Sequence, residues 1–209
     1  MKIGRLLLRL TVGGFFFGHG TQKLFGWFGG HGLDATSQMF EGLGMRPGRR
    51  NALAAGVAEA GGGAALALGL ATPLAAGTIT SVMLTAINRV HLKNGPWVTN
   101  GGYEYNAVLI AAVLSLAEVG PGQVSLDHAL GQERTGPGWA LLAAAIGLVG
   151  AVGADRAAAA YPAPPEPPAA GPGDPEPAAT TAAGPADSEP TATSAAESEP
   201  AEATATNPQ

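Results

Sequence analysis

Four long apolar segments carry ionisable residues within them, and this combination most constrains what the chain can fold into. The segments span residues 5–28, 51–71, 73–92 and 104–120, and a membrane-spanning helix needs about 20 predominantly apolar residues. A charged side chain inside a bilayer costs about 2.5–3.5 kcal/mol on insertion scales, so it needs a partner or a water-filled cavity. The sequence therefore predicts a transmembrane helical bundle that encloses a polar site.

A fifth apolar run, at residues 139–153, is shorter than the other four. At about 15 residues its length fits either a short span or a helix that lies against the bundle, and we favour a span. The predicted fold is all-α, a transmembrane bundle of four core helices with a short fifth helix and a disordered C-terminal tail. The predicted units are a four-helix membrane domain at 1–131, the additional helix at 132–154 and the tail at 155–209.

The predicted tail holds most of the acidic residues. It carries nine acidic residues and one basic residue, a net charge of −8, so the net charge of −5 for the whole chain leaves +3 for residues 1–154. The tail consists mainly of Ala, Pro, Glu, Thr, Ser and Gly, and it cannot bury enough apolar surface to offset the entropy of ordering. The acidic balance therefore says nothing about substrates of the core.

The chain contains no cysteine, so it can form neither a disulfide nor a thiolate metal site. Any sulfur or electron chemistry would need a bound cofactor or a partner protein. The N-terminal run begins with basic residues as a signal peptide does, but Arg9 interrupts it and no small-residue cleavage site follows. We therefore expect a retained helix.

Glu59 is the strongest candidate for a functional residue. Apolar or small residues flank it for about two helical turns on either side. We predict that it is protonated, hydrated or paired with a cation, and the candidate cations are Arg9, Lys23 and Arg89. The alternative interpretation is an ion pair with a purely structural role.

His19 and Lys23 lie one helical turn apart, so their side chains are neighbours. Two cationic groups so close together need an acid nearby, or one of them stays neutral. Histidine titrates near physiological pH, which suits a proton relay or a hydrogen bond to a quinone carbonyl. The alternative places both residues at the membrane interface, as it does for Arg9, which lies one turn beyond Arg5.

The predicted polar site draws residues from all four core spans. Its members are Arg9, His19, Gln22, Lys23, Glu59, Asn88, Arg89, His91, Glu104, Tyr105 and Asn106. Glu104 begins a predicted helix, where the helix dipole favours a carboxylate, so a structural role also fits it. Asn88 continues a polar stripe of the third span that includes Thr78, Ser81 and Thr85. No residue of the set is assigned a catalytic role.

Several other kinds of site are not supported by the sequence. No two of the four histidines have the i, i+3 or i, i+4 spacing of helical ligand pairs, so we predict no metal or haem site. Gly42-Leu43-Gly44 does not follow a strand, which argues against a dinucleotide fold. Nothing resembles a phosphate-binding loop, a Ser-His-Asp set or a nucleic-acid surface.

The order of these motifs resembles the DoxX family of small bacterial membrane proteins. The matching segments are Leu8-Arg9, Phe17 to Gly26, Gly29-Gly30, Phe40 to Gly44, Glu59 to Gly62, Met83, Gly101 to Asn106, Gly120 to Gly122 and Ser125 to Asp127. The resemblance covers about residues 3–131 and implies a four-helix, multi-pass protein of the bacterial cell membrane. It also implies a link to membrane-associated oxidoreductase complexes and to sulfur or oxidative-stress chemistry, since the family includes a quinone-linked thiosulfate-oxidising subunit.

Three functional hypotheses follow. The first is an accessory subunit of a membrane oxidoreductase system, in which the polar core binds a quinone or relays protons. The second is a non-catalytic anchor that recruits soluble redox proteins, and the third is a small-molecule transporter. The expected partners are the lipid bilayer and soluble redox proteins, with no nucleic acid, while homo-oligomerisation, catalysis and membrane orientation stay open.

Overall fold

The computed structural model describes residues 3–162, and every regular element within that range is helical. The helices are α1 (Ile3–Phe25), α2 (Gly32–Gly42), α3 (Gly48–Leu68), α4 (Thr72–Ala86), α5 (Glu104–Val119), α6 (Leu126–Ala129) and α7 (Pro137–Ala159). A π-helical turn, Ile87–His91, extends α4, and short 3₁₀ turns occur at Trp27–Gly29, Leu92–Asn94 and Val98–Asn100. The prediction of an all-α fold is confirmed for these residues.

The four predicted core segments form α1, α3, α4 and α5. Helix α1 packs along α3, α3 packs along α4, and α4 packs along α5. Helix α7 covers α4 and part of α5, while α2 lies on α3. Helices α2 and α6 fall in segments that the sequence pattern assigned to connections. We call the end where α1 stops and α5 starts the upper end, and the end with the α3–α4 turn the lower end.

Within residues 3–162, α7 is the one helix that is long and apolar enough by itself to cross a membrane. Helices α4 and α5 have only 15 and 16 residues. Helix α1 has 23 residues but contains Arg5, Arg9 and Lys23. Length and composition of single helices therefore do not by themselves establish four further spans.

Helices α1 and α3 approach until their backbones touch. A Cβ atom built at Gly13 would lie 2.6 Å from the Gly63 carbonyl oxygen, and one at Gly20 would lie 2.6 Å from the Gly56 carbonyl oxygen. Only glycine allows this approach at these positions. The face of α3 that contacts α1 consists of Gly56, Ala60, Gly63 and Ala67.

Helix α7, which contains the fifth predicted apolar run, is longer than that run indicated. It continues past Gly153 to Ala159, so the structure moves the predicted boundary between helix and tail from residue 155 to about residue 160. Gly147 of α7 packs against Thr80 and Gly150 against Ser81, so α7 fits closely against α4. The composition misplaced the boundary because Asp155 resembles the acidic tail. The rest of the predicted tail, from residue 163, lies outside the described residues.

Asp127 connects α6 to the start of α4 at the lower end of the bundle. Its carboxylate is 1% exposed and accepts hydrogen bonds from the Ala71 and Thr72 backbone N–H groups, at 2.7 and 3.0 Å, and from the Thr72 hydroxyl at 2.9 Å. These are unpaired N–H groups at the start of α4, where a negative charge is favoured. Ser125 accepts a bond from the His128 N–H and so caps the short α6 that carries Asp127.

Candidate functional site

A cavity of about 550 Å³ lies in the upper half of the bundle between α1, α3, α4 and α5, with further lining from α2 and α7. This volume falls within the roughly 300–1,000 Å³ of typical small-molecule sites. Much of its wall is apolar, including Val12, Phe15, Phe16, Phe40, Leu43, Val82 and Leu109, and three methionines, Met39, Met45 and Met83, contribute thioethers. Met side chains adapt to irregular ligands because they are unbranched and polarizable.

An ion pair between Lys23 and Glu59 is the central polar feature of this cavity. The Lys23 Nζ atom lies 2.6 Å from the Glu59 Oε2 atom, and both residues line the cavity. Glu59 is 5% exposed, whereas the Lys23 side chain is 23% exposed. The close α1–α3 contact at Gly20 and Gly56 brings the two side chains together. Lys23 is therefore the partner of Glu59, out of the three cations that the sequence analysis considered.

His19 lines the same cavity one helical turn before Lys23. Its side chain is exposed, so it lies at the rim, whereas Glu59 lies inside. The spacing of His19 and Lys23 predicted either a nearby acid or one neutral group, and Glu59 is the acid beside Lys23. All three residues line the same cavity, with His19 at its rim and Glu59 in its interior.

The π-helical turn at the end of α4 presents Arg89 and His91 to the cavity. Arg89 Nε donates to Asp155 Oδ1 at 2.7 Å, and Asn88 Nδ2 donates to Asp155 Oδ2 at 2.6 Å. His91 Nδ1 lies 2.7 Å from the Gly101 carbonyl oxygen. Single π-helical turns within α-helices occur frequently at functional sites, because they redirect side chains.

The start of α5 contributes Tyr105 and Asn106. Asn106 is 6% exposed, and its Nδ2 atom donates to the Met83 thioether sulfur at 3.3 Å. Tyr105 is 59% exposed and lies at the rim. Glu104 is the first residue of α5, where the helix dipole stabilises its carboxylate, and it does not line the cavity.

Seven of the predicted site residues meet in this cavity: His19, Lys23, Glu59, Arg89, His91, Tyr105 and Asn106. Four others, Arg9, Gln22, Asn88 and Glu104, do not line it. Gln22 donates to the Phe28 carbonyl at 3.2 Å and so holds the turn after α1. Asn88 is exposed, and its one link to the cavity is its hydrogen bond to Asp155, which also pairs with the cavity residue Arg89.

Arg9 lies at the lower end, away from the cavity and from Glu59. Its side chain is 2% exposed, and its guanidinium donates to three carbonyl oxygens: Ala67 at 3.1 Å, Pro121 at 2.6 Å and Val124 at 2.6 Å. Arg9 therefore joins α1 to the end of α3 and to the loop after α5. Its planar fork of donors suits three acceptors at once.

Several cavity residues were not among the predicted ones. Ser81 and Thr85 belong to the polar stripe that the spacing had indicated, and Asn51 lies two turns before Glu59 on the same side of α3. A search for polar residues two turns from Glu59 would have found Asn51. Asp155, which reaches Arg89 from α7, gave no comparable signal because it follows the apolar run directly. Within residues 3–162, no three His, Asp or Glu side chains are grouped as metal ligands would be.

We expect Asp155→Ala to lower the free energy of unfolding by about 1 kcal/mol, because Arg89 and Asn88 lose a partly exposed partner. This corresponds to a melting temperature about 3 °C lower, measured by thermal unfolding in a mild detergent. The matched control is Arg156→Ala, since Arg156 is the next residue and is exposed. Equal melting temperatures for wild type and Asp155→Ala would contradict the contribution of this pair.

Comparison with known proteins places the chain in a family. The DoxX family model matches residues 4–92. The chain is 32% identical over 126 residues to a protein of Bacillus subtilis (strain 168) named "Putative oxidoreductase CatD", and the aligned part covers 60% of this chain and 86% of that protein. No solved structure matches the chain significantly. On this evidence the chain belongs to the DoxX family, a family of membrane proteins.

Proposed function

We propose that this protein is a multi-pass membrane subunit of an oxidoreductase system and that its cavity binds a quinone. Membership of the DoxX family and the oxidoreductase name of the Bacillus relative support the redox role. The observation that carries the quinone assignment is the Lys23–Glu59 ion pair, with a buried Glu59 and a half-buried Lys23, inside a largely apolar cavity of about 550 Å³. Ligand sites of this kind combine apolar walls with a few convergent polar groups.

Exposed apolar side chains support a multi-pass arrangement. Each long helix of the bundle exposes more than half of at least one large apolar side chain: Leu7 and Phe15 on α1, Val57 on α3, Leu74 on α4, Val108 on α5, and Leu141 and Val149 on α7. Contact of this apolar surface with water would be energetically unfavourable, whereas contact with lipid would not. Trp27 and Phe28 lie beyond the upper end of α1, where aromatic residues mark a membrane interface.

The chemistry of the lining fits a quinone. A quinone has two carbonyl oxygens that accept hydrogen bonds. The His19 ring at the rim and the Lys23 ammonium further inside can donate these bonds. When bound, a quinone accepts two electrons and two protons, and a partner protein would supply the electrons. Glu59 and His19 can hold and pass protons, because a carboxyl group and an imidazole are both general acid–base groups and both line the cavity.

The test is mass spectrometry of the organic extract from protein purified in mild detergent. We expect a quinone in the wild-type extract and about ten-fold less in Glu59→Gln, because the neutral amide leaves the Lys23 ammonium unpaired in the cavity. The matched control is Glu118→Gln, since Glu118 is an exposed carboxylate of α5 outside the cavity. This control should retain the wild-type amount of quinone.

A double variant separates binding from folding. Replacing both charges, as in Lys23→Met with Glu59→Leu, removes the ion pair without leaving the buried Glu59 position or Lys23 with an unpaired charge, so the fold should persist. We expect normal thermal unfolding but no enriched quinone. Extracts that contain only bulk lipid from wild type and variants alike would reject the quinone site and favour the second hypothesis, a membrane anchor for redox partners.

A further inference from the structure

We propose that the cavity opens sideways into the bilayer between α1 and α5, and that its ligand is a long-tailed, membrane-confined quinone that enters through this opening. This inference rests on the proposed function, because it concerns the same site. It adds the route of entry and the class of quinone. Six residues that line the cavity are exposed, and four of them belong to α1 and α5: Thr11, Phe15, His19 and Tyr105, with Met39 and Ala54 on the α2–α3 side.

One edge of the opening is a single stripe of α1. Thr11, Phe15 and His19 follow each other at intervals of four residues, so they lie above one another on the same face. All three line the cavity and are exposed, and Phe15 is 65% exposed. The neighbouring face of α1, with Val12 and Phe16, is buried against the bundle. The stripe is therefore the border between cavity and surroundings.

The other edge of the opening belongs to α5. Tyr105 is 59% exposed, and Leu109, one turn further, is partly exposed, while both line the cavity. Helix α1 makes its extensive contact with α3, and α5 makes its extensive contacts with α4 and α7, so the two edges pack only slightly against each other. A gap between two such helices can admit a flexible chain without separation of the bundle.

The depth of the α1 edge places the opening within the membrane. His19 lies about 9 Å and Thr11 about 21 Å from the end of α1 at Phe25, at 1.5 Å per residue. The hydrocarbon core of a bilayer is about 30 Å thick, so this stripe reaches from its border to its interior when α1 spans it. A molecule that enters there comes from the lipid phase.

The distribution of polarity selects an amphipathic ligand. The Lys23–Glu59 pair lies inside, where a polar ring would bind, whereas Phe15 and Leu109 form an apolar passage to the outside. A long isoprenoid tail would exceed the cavity volume and remain in the passage, in contact with lipid. A short, water-soluble quinone would use little of this surface.

The experiment blocks the opening with a single covalent label. Because the chain contains no cysteine, Phe15→Cys provides a unique thiol for a pyrene maleimide, attached to the full-length protein in detergent. Gly14→Cys is the matched control, since Gly14 is the adjacent exposed residue and a Cβ there meets no atom within 4 Å. The proteins, stripped of quinone, are reconstituted into liposomes that contain long-tailed ubiquinone and menaquinone, and bound quinone is measured over time.

We expect the labelled Phe15→Cys protein to load quinone about ten-fold more slowly than the same variant without label, because an obstructed route lowers the association rate. Unlabelled Phe15→Cys is therefore the reference for the effect of the label, and labelled Gly14→Cys should load at the wild-type rate. If wild type loads quinone and Phe15→Cys loads it equally fast with and without the label, the lateral opening is wrong while the proposed function stands. If the wild-type protein binds no quinone, the proposed function is wrong, and the inference about the lateral opening is wrong as well. A thiol at position 15 that resists labelling would contradict the exposed opening.

Discussion

Gly20→Leu is expected to separate α1 from α3 and to lower strongly the amount of folded protein in the membrane. A Cβ atom at Gly20 would lie 2.6 Å from the Gly56 carbonyl oxygen and 2.7 Å from the Ala60 Cα atom. Both are backbone atoms of α3, so no side-chain rotation can relieve the contact. Overpacking of this kind costs about 3 kcal/mol or more, because the two helices must move apart along their length.

The effect should reach the cavity as well. Lys23 lies one turn beyond Gly20 on α1, and its ion pair with Glu59 depends on the α1–α3 distance. We therefore expect loss of quinone from whatever folded Gly20→Leu protein remains. The measurements are the amount of monodisperse protein after gel filtration, unfolding by titration with a denaturing detergent, and quinone content of the folded fraction.

Two glycines of the same helices provide matched controls. A Cβ atom at Gly18 of α1 or at Gly61 of α3 would meet no atom within 4 Å. Gly18→Leu and Gly61→Leu therefore add the same bulk without a contact, and we expect changes within about 0.5 kcal/mol. Equal losses for Gly20→Leu and Gly18→Leu would mean that bulk on α1, rather than backbone contact with α3, causes the effect.

Arg9→Leu is expected to lower the free energy of unfolding by roughly 3–5 kcal/mol, because each buried acceptor that loses its donor costs about 1–3 kcal/mol. The guanidinium donates to the carbonyls of Ala67, Pro121 and Val124, and the side chain is 2% exposed. Leucine can satisfy none of these acceptors. Unfolding in a denaturing detergent, followed by circular dichroism, measures the change.

Two further variants test the geometry of the Arg9 contacts. Arg9→Lys keeps the charge but cannot reach three separated acceptors with one ammonium, so its loss should be intermediate. Arg49→Gln removes an arginine whose side chain is 69% exposed and whose partner Asp34 is 89% exposed, so it should change stability by less than about 0.5 kcal/mol. A loss for Arg9→Leu as small as that for Arg49→Gln would show that the three bonds contribute little.

We expect the proposed quinone site to respond differently from the Arg9 contacts. Arg9 does not line the cavity, so the folded fraction of Arg9→Lys should keep its quinone, whereas Glu59→Gln should lose it. The sequence placed both residues in one candidate site because each is a charge in an apolar segment. Their different depths along the bundle, and not their chemistry, separate the structural contact of Arg9 from the proposed ligand site at Glu59.

The helices could largely be predicted from the sequence because their signals are local. Apolar runs with glycine or proline near their ends indicated α1, α3, α4 and α5 within a few residues. The end of α7 could not be predicted in this way. Its last turn carries Asp155, which resembles the acidic tail, and only the bond to Arg89 shows why a charge there belongs to the helix.

The amino-acid sequence alone predicts that the chain forms apolar helices with charges inside them, and that those charges need partners. It also carried the motifs of the DoxX family. The packing of the helices shows which partners meet: Glu59 with Lys23, Arg9 with three carbonyls at the opposite end, and Arg89 with Asp155. Pairing across helices depends on their rotation and separation, which the glycine contact between α1 and α3 sets, and spacing within one helix contains no information about either.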